Sequence, residues 1–215
     1  LIMAQDDDSL IPIVAAEEYI DSEKGVEDAQ SALAGALDII AEDISDNAEI
    51  RKRIRNLVML GGIVNSTAAK EDEDSVYSMY YEFSEAVSKI AGRRVLAIDR
   101  GEKEGFLKVS VVADDEKMLS VIAKLMVKGN NPSSKAVMAA GEDSYSRLIF
   151  PSIEREVRNA LTEKAAEQAI SVFGTNLHQL LMQPPVKGKI AIGLDPGYRT
   201  GCKLAVVDET GRVLD

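Results

Sequence analysis

The stretch that decides the fold is residues 151–183, PSIEREVRNALTEKAAEQAISVFGTNLHQLLMQ. Apolar residues recur along it at helical spacing, and this periodicity predicts one long amphipathic helix. The apolar face consists of Ile153, Val157, Leu161, Ile170, Phe173, Leu177 and Leu180. Pro151 suits the first position of a helix, and the prolines at 184 and 185 would end it. At ~1.5 Å per residue the helix would reach about 50 Å, so we expect a spine that connects two domains.

Shorter amphipathic helices are predicted before this spine. Residues 25–44 place apolar side chains four and three residues apart, as helices do. A second helix, capped by Asp46 or Asn47, would run through Leu60 and stop at two glycines. Residues 74–92 are predicted to form a third helix with Tyr80 and Phe83 on its buried face.

The rest of the chain contains few strand signals. Residues 106–114 alternate apolar and polar side chains, which predicts one strand, and residues 116–129 predict another helix. Periodicity leaves residues 93–105 open between strand and helix, and residues 130–134 are expected to be a loop. After Gly188 the period changes to that of strands separated by turns, which marks the start of a β-containing domain.

Composition limits the function. The formal net charge is −11, from 36 acidic and 25 basic residues, so strong nucleic-acid binding by this region alone is not expected. One cysteine, Cys202, and one histidine, His178, exclude an internal disulfide and the usual Cys/His zinc site. The longest apolar stretch, residues 57–64, is too short to span a bilayer. We therefore expect a cytoplasmic protein without membrane contact, metal or cofactor.

The most specific motif is LDPGYRTG at residues 194–201. Pro196 and Gly197 fit a type II turn that would leave Asp195 at the end of a strand. RNase H-like nucleases hold catalytic metal ions with such an aspartate, and actin-like ATPases use a similar turn for phosphates. Both classes need further carboxylates from later strands. We therefore interpret the motif as a vestigial carboxylate turn or as a plain hairpin turn. Its candidate residues are Asp195, Gly197, Arg199 and Thr200.

Two basic clusters are candidates for contact with nucleic-acid phosphates. One lies in IRKRIR at residues 50–55, and the other in GRRVLAIDRGEK at residues 92–103. The candidate residues are Arg51, Lys52, Arg55, Arg93, Arg94 and Arg100. The alternative is that both clusters are merely the solvated faces of helices.

Five stretches together resemble the Tex family of bacterial transcription accessory proteins. They are SALAGALDIIAEDISDNAEIRKRIR, VYSMYYEFSEAV, RRVLAIDRGEKEGFLKV, DSYSRLIFPSIEREVRNALTEKAAEQAISVFGTNLHQLLMQPP and IAIGLDPGYRTGCKLAVVDETGRVL. The resemblance runs from about Ile11 to the last residue. It implies a fragment of a longer protein: a helical domain over 1–150, a long central helix over 151–186 and the truncated start of a YqgF-type, RNase H-like domain over 187–215. The implied fold class is mainly α, with one short strand segment before the truncated β domain.

The resemblance also implies a function. We expect a non-enzymatic helical scaffold of a nucleic-acid-binding transcription accessory factor, which contacts RNA or DNA mainly through modules outside this chain and has RNA polymerase as a further expected partner. The alternatives are the first part of a RuvC-class metal-dependent nuclease, with Asp195 as its first acidic position, and, more weakly, an actin-like phosphotransferase.

The strands of residues 190–215 raise one further expectation. A two-stranded ribbon is marginal in water, and an open apolar edge recruits other strands. Leu204 and Val206 are expected on a buried face. We therefore expect this segment either to pack on the helical region or to form a truncation-induced homodimer.

Overall fold

The computed structural model describes residues 1–70, 75–184, 188–199 and 201–214. The chain divides into two compact units, Leu1–Ala169 and a second that begins at Ile170. Each unit is described by itself below.

Helices open the first unit. Short helical turns at Ile2–Ala4, Pro12–Ala15 (α1), Ala16–Tyr19 and Ser22–Lys24 lead into α2, Ala29–Ser45, and α3, Ala48–Gly61. Asp28 caps α2 by accepting a hydrogen bond from the Ser31 amide at 2.7 Å. Asn47 caps α3 by accepting from the amides of residues 49 and 50 at 3.0 and 3.1 Å. The two helices predicted here are confirmed, because caps and apolar periodicity agree locally.

A three-stranded antiparallel sheet follows. Its strands are β1, Ile63–Ala68, β2, Glu82–Ala86, and β3, Leu107–Val112, in the order β2-β1-β3. The predicted strand is therefore β3, while β1 and β2 were not foreseen. In the central strand, Asn65 is paired with Ser84 on one side and with Ser110 on the other.

The helix predicted over residues 74–92 is wrong. The described part of that segment contains a helical turn, Ser78–Tyr80, and strand β2, whereas residues 71–74 lie outside the described residues. Tyr77 is buried, and its ring lies 5.7 Å from that of Phe106, whereas Tyr80 and Phe83 are half-buried. Aromatic residues suit strands as well as helices, and pairing with β1 decides between the two.

The remaining elements of the first unit are helical. Residues 93–105, left open by the sequence, form most of α4, Gly92–Lys103. The predicted helix over residues 116–129 is found as α5, Asp115–Met126, which ends three residues earlier. The loop expected at residues 130–134 ends early, at Asn131. Asn131 accepts a hydrogen bond from the Ser134 amide at 2.8 Å and starts α6, Pro132–Asp143.

The long helix begins earlier than predicted. Helix α6 continues through a π-helical segment, Ser144–Ile149, into α7, Phe150–Leu181, giving 50 residues of continuous helix. Pro151 is thus inside a helix rather than at its start. A proline there removes one backbone hydrogen bond and crowds the preceding turn, and the wider π turn just before it provides room. Pro184 follows the helix; residue 185 lies outside the described residues.

The core of the first unit joins α2, α3, the sheet, α5 and the first half of α7. Its fully buried members include Ile44, Ile54, Ile122 and Ile153. The apolar face of α7 does not stay buried along its length. Ile153 and Val157 are buried, whereas the matching residues from Ile170 onward are exposed.

The second unit contains the end of α7 and a β-hairpin. Strands β4, Ala191–Gly197, and β5, Gly201–Val207, pair antiparallel, and Val207 also bridges to Val213. Leu204, expected to be buried, is 63% exposed in this chain, and Val206 is half-buried. The predicted fold class is confirmed: mainly helical, with a long helix followed by the first strands of a β domain. Within the described residues, no helix is long and apolar enough to cross a membrane.

Candidate nucleic-acid interface

The basic cluster on α3 is tied to α7. The guanidinium of Arg51 donates to a carboxylate oxygen of Glu156 and to the hydroxyl of Ser152, both at 2.8 Å. Arg55 lies 3.9 Å from the other oxygen of Glu156. Lys52 is exposed and has no ion pair among the described residues. Glu156 therefore holds two of the three predicted phosphate-binding cations of this cluster, and a nucleic acid would have to compete with it.

Arg94 of the second cluster is also engaged. It donates to a carboxylate oxygen of Glu85 in β2 at 2.7 Å, and its guanidinium carbon lies 6.0 Å from the centre of the Phe83 ring. The hydrogen bond to Glu85 raises the pKa of Arg94. This arrangement joins α4 to the edge strand of the sheet.

The other cations of α4 form an open basic face, which we define as Arg93, Arg100 and Lys103. All three are exposed, and none takes part in an ion pair within the described part of the chain. Arg93 and Arg100 are seven residues apart, so they lie on one side of the helix about 10 Å apart along its axis. Glu104 neighbours this face, but its carboxylate accepts a hydrogen bond from the Tyr77 hydroxyl at 2.8 Å. Burial, together with that hydrogen bond, raises the pKa of Tyr77.

Other residues of α4 are fixed to α7, so the open face has a rigid base. Arg158 of α7 donates to both carboxylate oxygens of Glu102 and lies 3.7 Å from Asp99. The Thr162 hydroxyl donates to Asp99 at 2.6 Å. At the start of α4, Gly92 lies so close to α7 that a Cβ there would be 3.2 Å from the Cβ of Ala165.

The LDPGYRTG motif does not form the turn that we predicted. Asp195 and Gly197 belong to β4, where they pair with Lys203 and Gly201. The positive φ is found at Gly201, with φ 80°, and not at Gly197. Because the strands pair up to Gly197 and Gly201, the turn shifts to include Tyr198 and Arg199, and Gly201 takes the left-handed conformation.

As a result, Asp195 does not stand at a strand end. It is exposed and lies opposite Lys203 in the ladder, so a cation neighbours its carboxylate. Arg199 follows in the turn, and Thr200 lies outside the described residues. In the described ranges no three histidine, cysteine or acidic side chains come together as a metal-binding group.

The clusters themselves could be found from sequence, but their counter-ions could not. Glu156 lies more than 100 residues from Arg51, and Glu85 is on a strand that we predicted as helix. Only the fold brings these carboxylates to the arginines. Of the six predicted residues, Lys52, Arg93 and Arg100 thus have no ion pair within the described part of the chain.

Comparison with known proteins extends this picture. The Tex central region-like family model matches residues 7–173, and the Tex protein YqgF-like domain matches residues 189–215. The chain is 48% identical to protein YdcI of Bacillus subtilis over 93% of its own length. It is 32% identical to the transcriptional accessory protein Tex of Neisseria gonorrhoeae over 94%, and 32% identical to human S1 RNA-binding domain-containing protein 1 over 89%. It spans 28%, 27% and 21% of these relatives, about a quarter of their length.

These matches describe a class of protein in which a helical region with a long helix is followed by the first strands of a YqgF-like domain. The chain belongs to the Tex family of transcription accessory proteins.

Proposed function

We propose that this chain is a non-catalytic helical scaffold within a nucleic-acid-binding transcription accessory protein. The names of two relatives, a transcriptional accessory protein and an S1 RNA-binding domain-containing protein, support a role with RNA. Both relatives are several times longer than this chain. The scaffold would therefore position binding modules of the longer protein, and its own contact with RNA or DNA would be secondary. A cytoplasmic site of action is part of this proposal.

The main support for the proposal is that arginines of this chain form ion pairs between its own elements. Arg51, Arg94 and Arg158 each bind a carboxylate on a different element of the first unit, at α7, β2 and α4 respectively. Cations used in this way hold helices and strands together, and a phosphate would have to compete with their carboxylate partners. Of the candidate cations in the two clusters, Arg93, Arg100 and Lys52 have no ion pair within the described residues and are left for a phosphate backbone.

A binding measurement tests whether the ion-paired arginines are structural and the open face of α4 makes the contact with nucleic acid. We expect the chain to bind labelled single- or double-stranded RNA and DNA no more tightly than non-specific complexes, about 10⁻⁴–10⁻⁶ M at physiological salt. Any binding that is measured should become weaker in the double variant Arg93→Glu, Arg100→Glu. Arg155→Glu, on an exposed part of α7 outside both clusters, is the matched control. Sub-micromolar binding that survives the double variant would contradict a secondary contact at α4.

The proposal also excludes metal-dependent cleavage. Two-metal chemistry needs several carboxylates around ions ~4 Å apart, and Asp195 faces a lysine across the ladder instead. We expect no Mg²⁺- or Mn²⁺-dependent cleavage of RNA, DNA or ATP by the chain. Cleavage that disappears in Asp195→Asn and persists in Asp208→Asn would establish the nuclease or phosphotransferase alternative.

Partners follow from the same proposal. RNA polymerase is the proposed protein partner, because the gonococcal relative carries the name of a transcriptional accessory protein. We also propose that the isolated chain pairs with a second copy through residues 190–214. Ile192 and Leu194 are 66% and 60% exposed, directly opposite Val206 and Leu204. Light scattering on the chain and on a form ending at residue 184 tests this dimer. If the two forms are both monomers, the pairing through the hairpin does not occur.

A further inference from the structure

The three-stranded sheet of the first unit has two edge strands, β3 and β2. Side chains of α7 occupy the outer edge of β3. The backbone N–H of Val111 donates to a carboxylate oxygen of Glu154 at 2.7 Å, and Arg158 donates to the backbone carbonyl of Val109 at 3.4 Å. Helix α7 therefore provides hydrogen-bond partners for backbone groups that β3 directs away from β1.

Strand β2 directs a different set of backbone groups outward. Just beyond β2, the amide of Val87 donates to the carbonyl of Gly62 at 2.9 Å. In an antiparallel pair, every second residue directs its backbone groups toward the neighbouring strand. Counting back from Val87 in the register of β1 and β2, the residues that direct theirs away from β1 are Glu82, Ser84 and Ala86.

This outer edge of β2 is closed at one end and open at the other. The carbonyl of Ala86 accepts hydrogen bonds from the amides of Lys89 and Ile90 at 2.9 and 3.0 Å. Within the described residues, no hydrogen bond joins the outward backbone groups of Glu82 or Ser84 to another element, and both residues are exposed. An edge strand with unpaired N–H and C=O groups is a template for one more strand.

The segment that contains β2 is strongly acidic. Residues 71–85 include six aspartates and glutamates and no basic residue. In β2 itself, Glu85 is held by an arginine of α4, whereas Glu82 has no ion pair among the described residues. Val76 and Met79, which precede β2, are 86% and 73% exposed. A strand that carries cations and apolar side chains is therefore complementary to this edge.

We propose that the open edge of β2 binds an extended, basic segment of a partner protein, which joins the sheet as a fourth strand. Backbone hydrogen bonds to Glu82 and Ser84 contribute affinity, and the side chains of the added strand determine specificity. In an antiparallel arrangement, a lysine or arginine lies opposite Glu82 and an aliphatic residue lies opposite Ala86. This inference goes beyond the proposed role in nucleic-acid binding and does not depend on it.

Other occupants fit this edge less well. A nucleic acid is repelled by the acidic residues around β2. The β2 strand of a second copy would bring two acidic segments together, and like charges on neighbouring strands are destabilising. The basic clusters at residues 50–55 and 92–103 lie within helices α3 and α4, so neither can supply the added strand.

The first test uses a synthetic peptide of about nine residues, ~30 Å long at ~3.3 Å per residue, in which valines alternate with lysines and threonines. Fluorescence anisotropy measures its binding to residues 1–215. One control peptide carries glutamate in place of lysine. The other carries N-methyl groups on the lysine and threonine amides, which would face β2. We expect the lysine peptide to bind less tightly as salt is added, and each control to bind at least about tenfold more weakly.

Two pairs of variants locate the site. Ser84→Pro removes an outward N–H and keeps the bonds to β1, because edge strands tolerate proline where the N–H faces solvent. Its control, Ser84→Thr, retains that N–H. Glu82→Lys reverses a charge at the edge, and Glu27→Lys makes the same change at an exposed position before α2. Ser84→Pro and Glu82→Lys should each weaken peptide binding at least about tenfold, and the two controls less than about twofold.

Circular dichroism establishes that each variant folds, and if Ser84→Pro does not, the pair of lysine variants decides. Several results would overturn the proposal. Equal binding of the N-methylated peptide excludes strand addition, and equal binding of the glutamate peptide excludes charge complementarity. Unchanged binding by folded Ser84→Pro or by Glu82→Lys means that the peptide binds elsewhere.

Two further measurements separate a partner protein from the other occupants. If the full-length gene product binds the lysine peptide about tenfold less tightly than residues 1–215 do, the edge is covered by its own polypeptide. If residues 1–215 self-associate and Ser84→Pro prevents it, the occupant is a second copy. Equal binding to both forms of the protein, without self-association at β2, is the result that we expect.

Discussion

The two halves of helix α7 carry the same apolar periodicity and differ in burial. In the first half, Ile153 and Val157 are 0% and 1% exposed, because α7 packs there against the core of the first unit. In the second half, Ile170 and Phe173 are 71% and 66% exposed. Periodicity therefore predicts that a segment is helical and which face is apolar. It does not predict whether anything covers that face.

The largest expected difference between the halves comes from truncating the same residue type in each. Ile153→Ala leaves a cavity in a packed core and should lower the free energy of unfolding by about 2–5 kcal/mol. Ile170→Ala, on the exposed half, should change it by less than about 0.5 kcal/mol. Urea denaturation followed by circular dichroism measures both. Equal losses would mean that the second half is buried in solution.

Two glycine-to-alanine replacements make the same comparison, and we expect them to change the free energy of unfolding in opposite directions. Gly92→Ala would place a Cβ 2.8 Å from the side-chain oxygen of Gln168 and 3.2 Å from Ala165, so α4 or α7 must shift. We expect a loss of about 1–3 kcal/mol, as for other overpacked contacts. Gly174→Ala meets no atom and should stabilise the helix by about 0.5–1 kcal/mol. Thermal unfolding of the two variants decides, and a stabilising Gly92→Ala would show that the helices are not in close contact.

Within the covered half, two arginines one turn apart differ in exposure and in ion pairing. Arg158 binds Glu102 and lies near Asp99, whereas Arg155 is exposed and has no ion pair in the described part of the chain. Removing charged hydrogen bonds through Arg158→Gln should cost about 1.5–3 kcal/mol. Arg155→Gln should have an effect within about 0.5 kcal/mol. Chemical denaturation at matched salt provides the measurement, and a neutral Arg158→Gln would mean that α4 is held by apolar packing alone.

The smallest effect is expected in the pH dependence of stability. Arg147 hydrogen-bonds Asp143, just before the π-helical segment, and lowers the pKa of that carboxyl. A lowered pKa in the folded state means that the stabilisation is present above the unfolded-state pKa and is lost as the pH falls through the folded-state value. Asp143→Asn should therefore reduce the loss of stability on the acid side.

The free energy of unfolding between pH 6 and pH 2 measures this contribution. Glu163→Gln, at an exposed position of α7 that has no ion pair with the described residues, is the control and should follow the wild-type curve. An unchanged acid-side slope in Asp143→Asn would show that the pair with Arg147 does not persist in solution.

The amino-acid sequence by itself determined the local elements. Helices α2, α3 and α5 and the strand β3 follow from periodicity and caps such as Asn47, because those signals act between residues a few positions apart. The Tex family could also be identified from ordered motifs. The two basic clusters and the carboxylate of Asp195 could be selected as candidate sites because they too are local patterns in the sequence.

Tertiary structure alone decided the rest. Strand β2 forms where a helix was predicted, because β1 offers it backbone partners that no local pattern reveals. Pro151 lies inside the long helix because a π turn accommodates it. Of the six cations predicted to bind phosphate, Arg51, Arg55 and Arg94 are held by carboxylates brought close only by the fold. Burial and ion pairing are long-range, since they depend on which elements meet in space rather than on spacing along the chain.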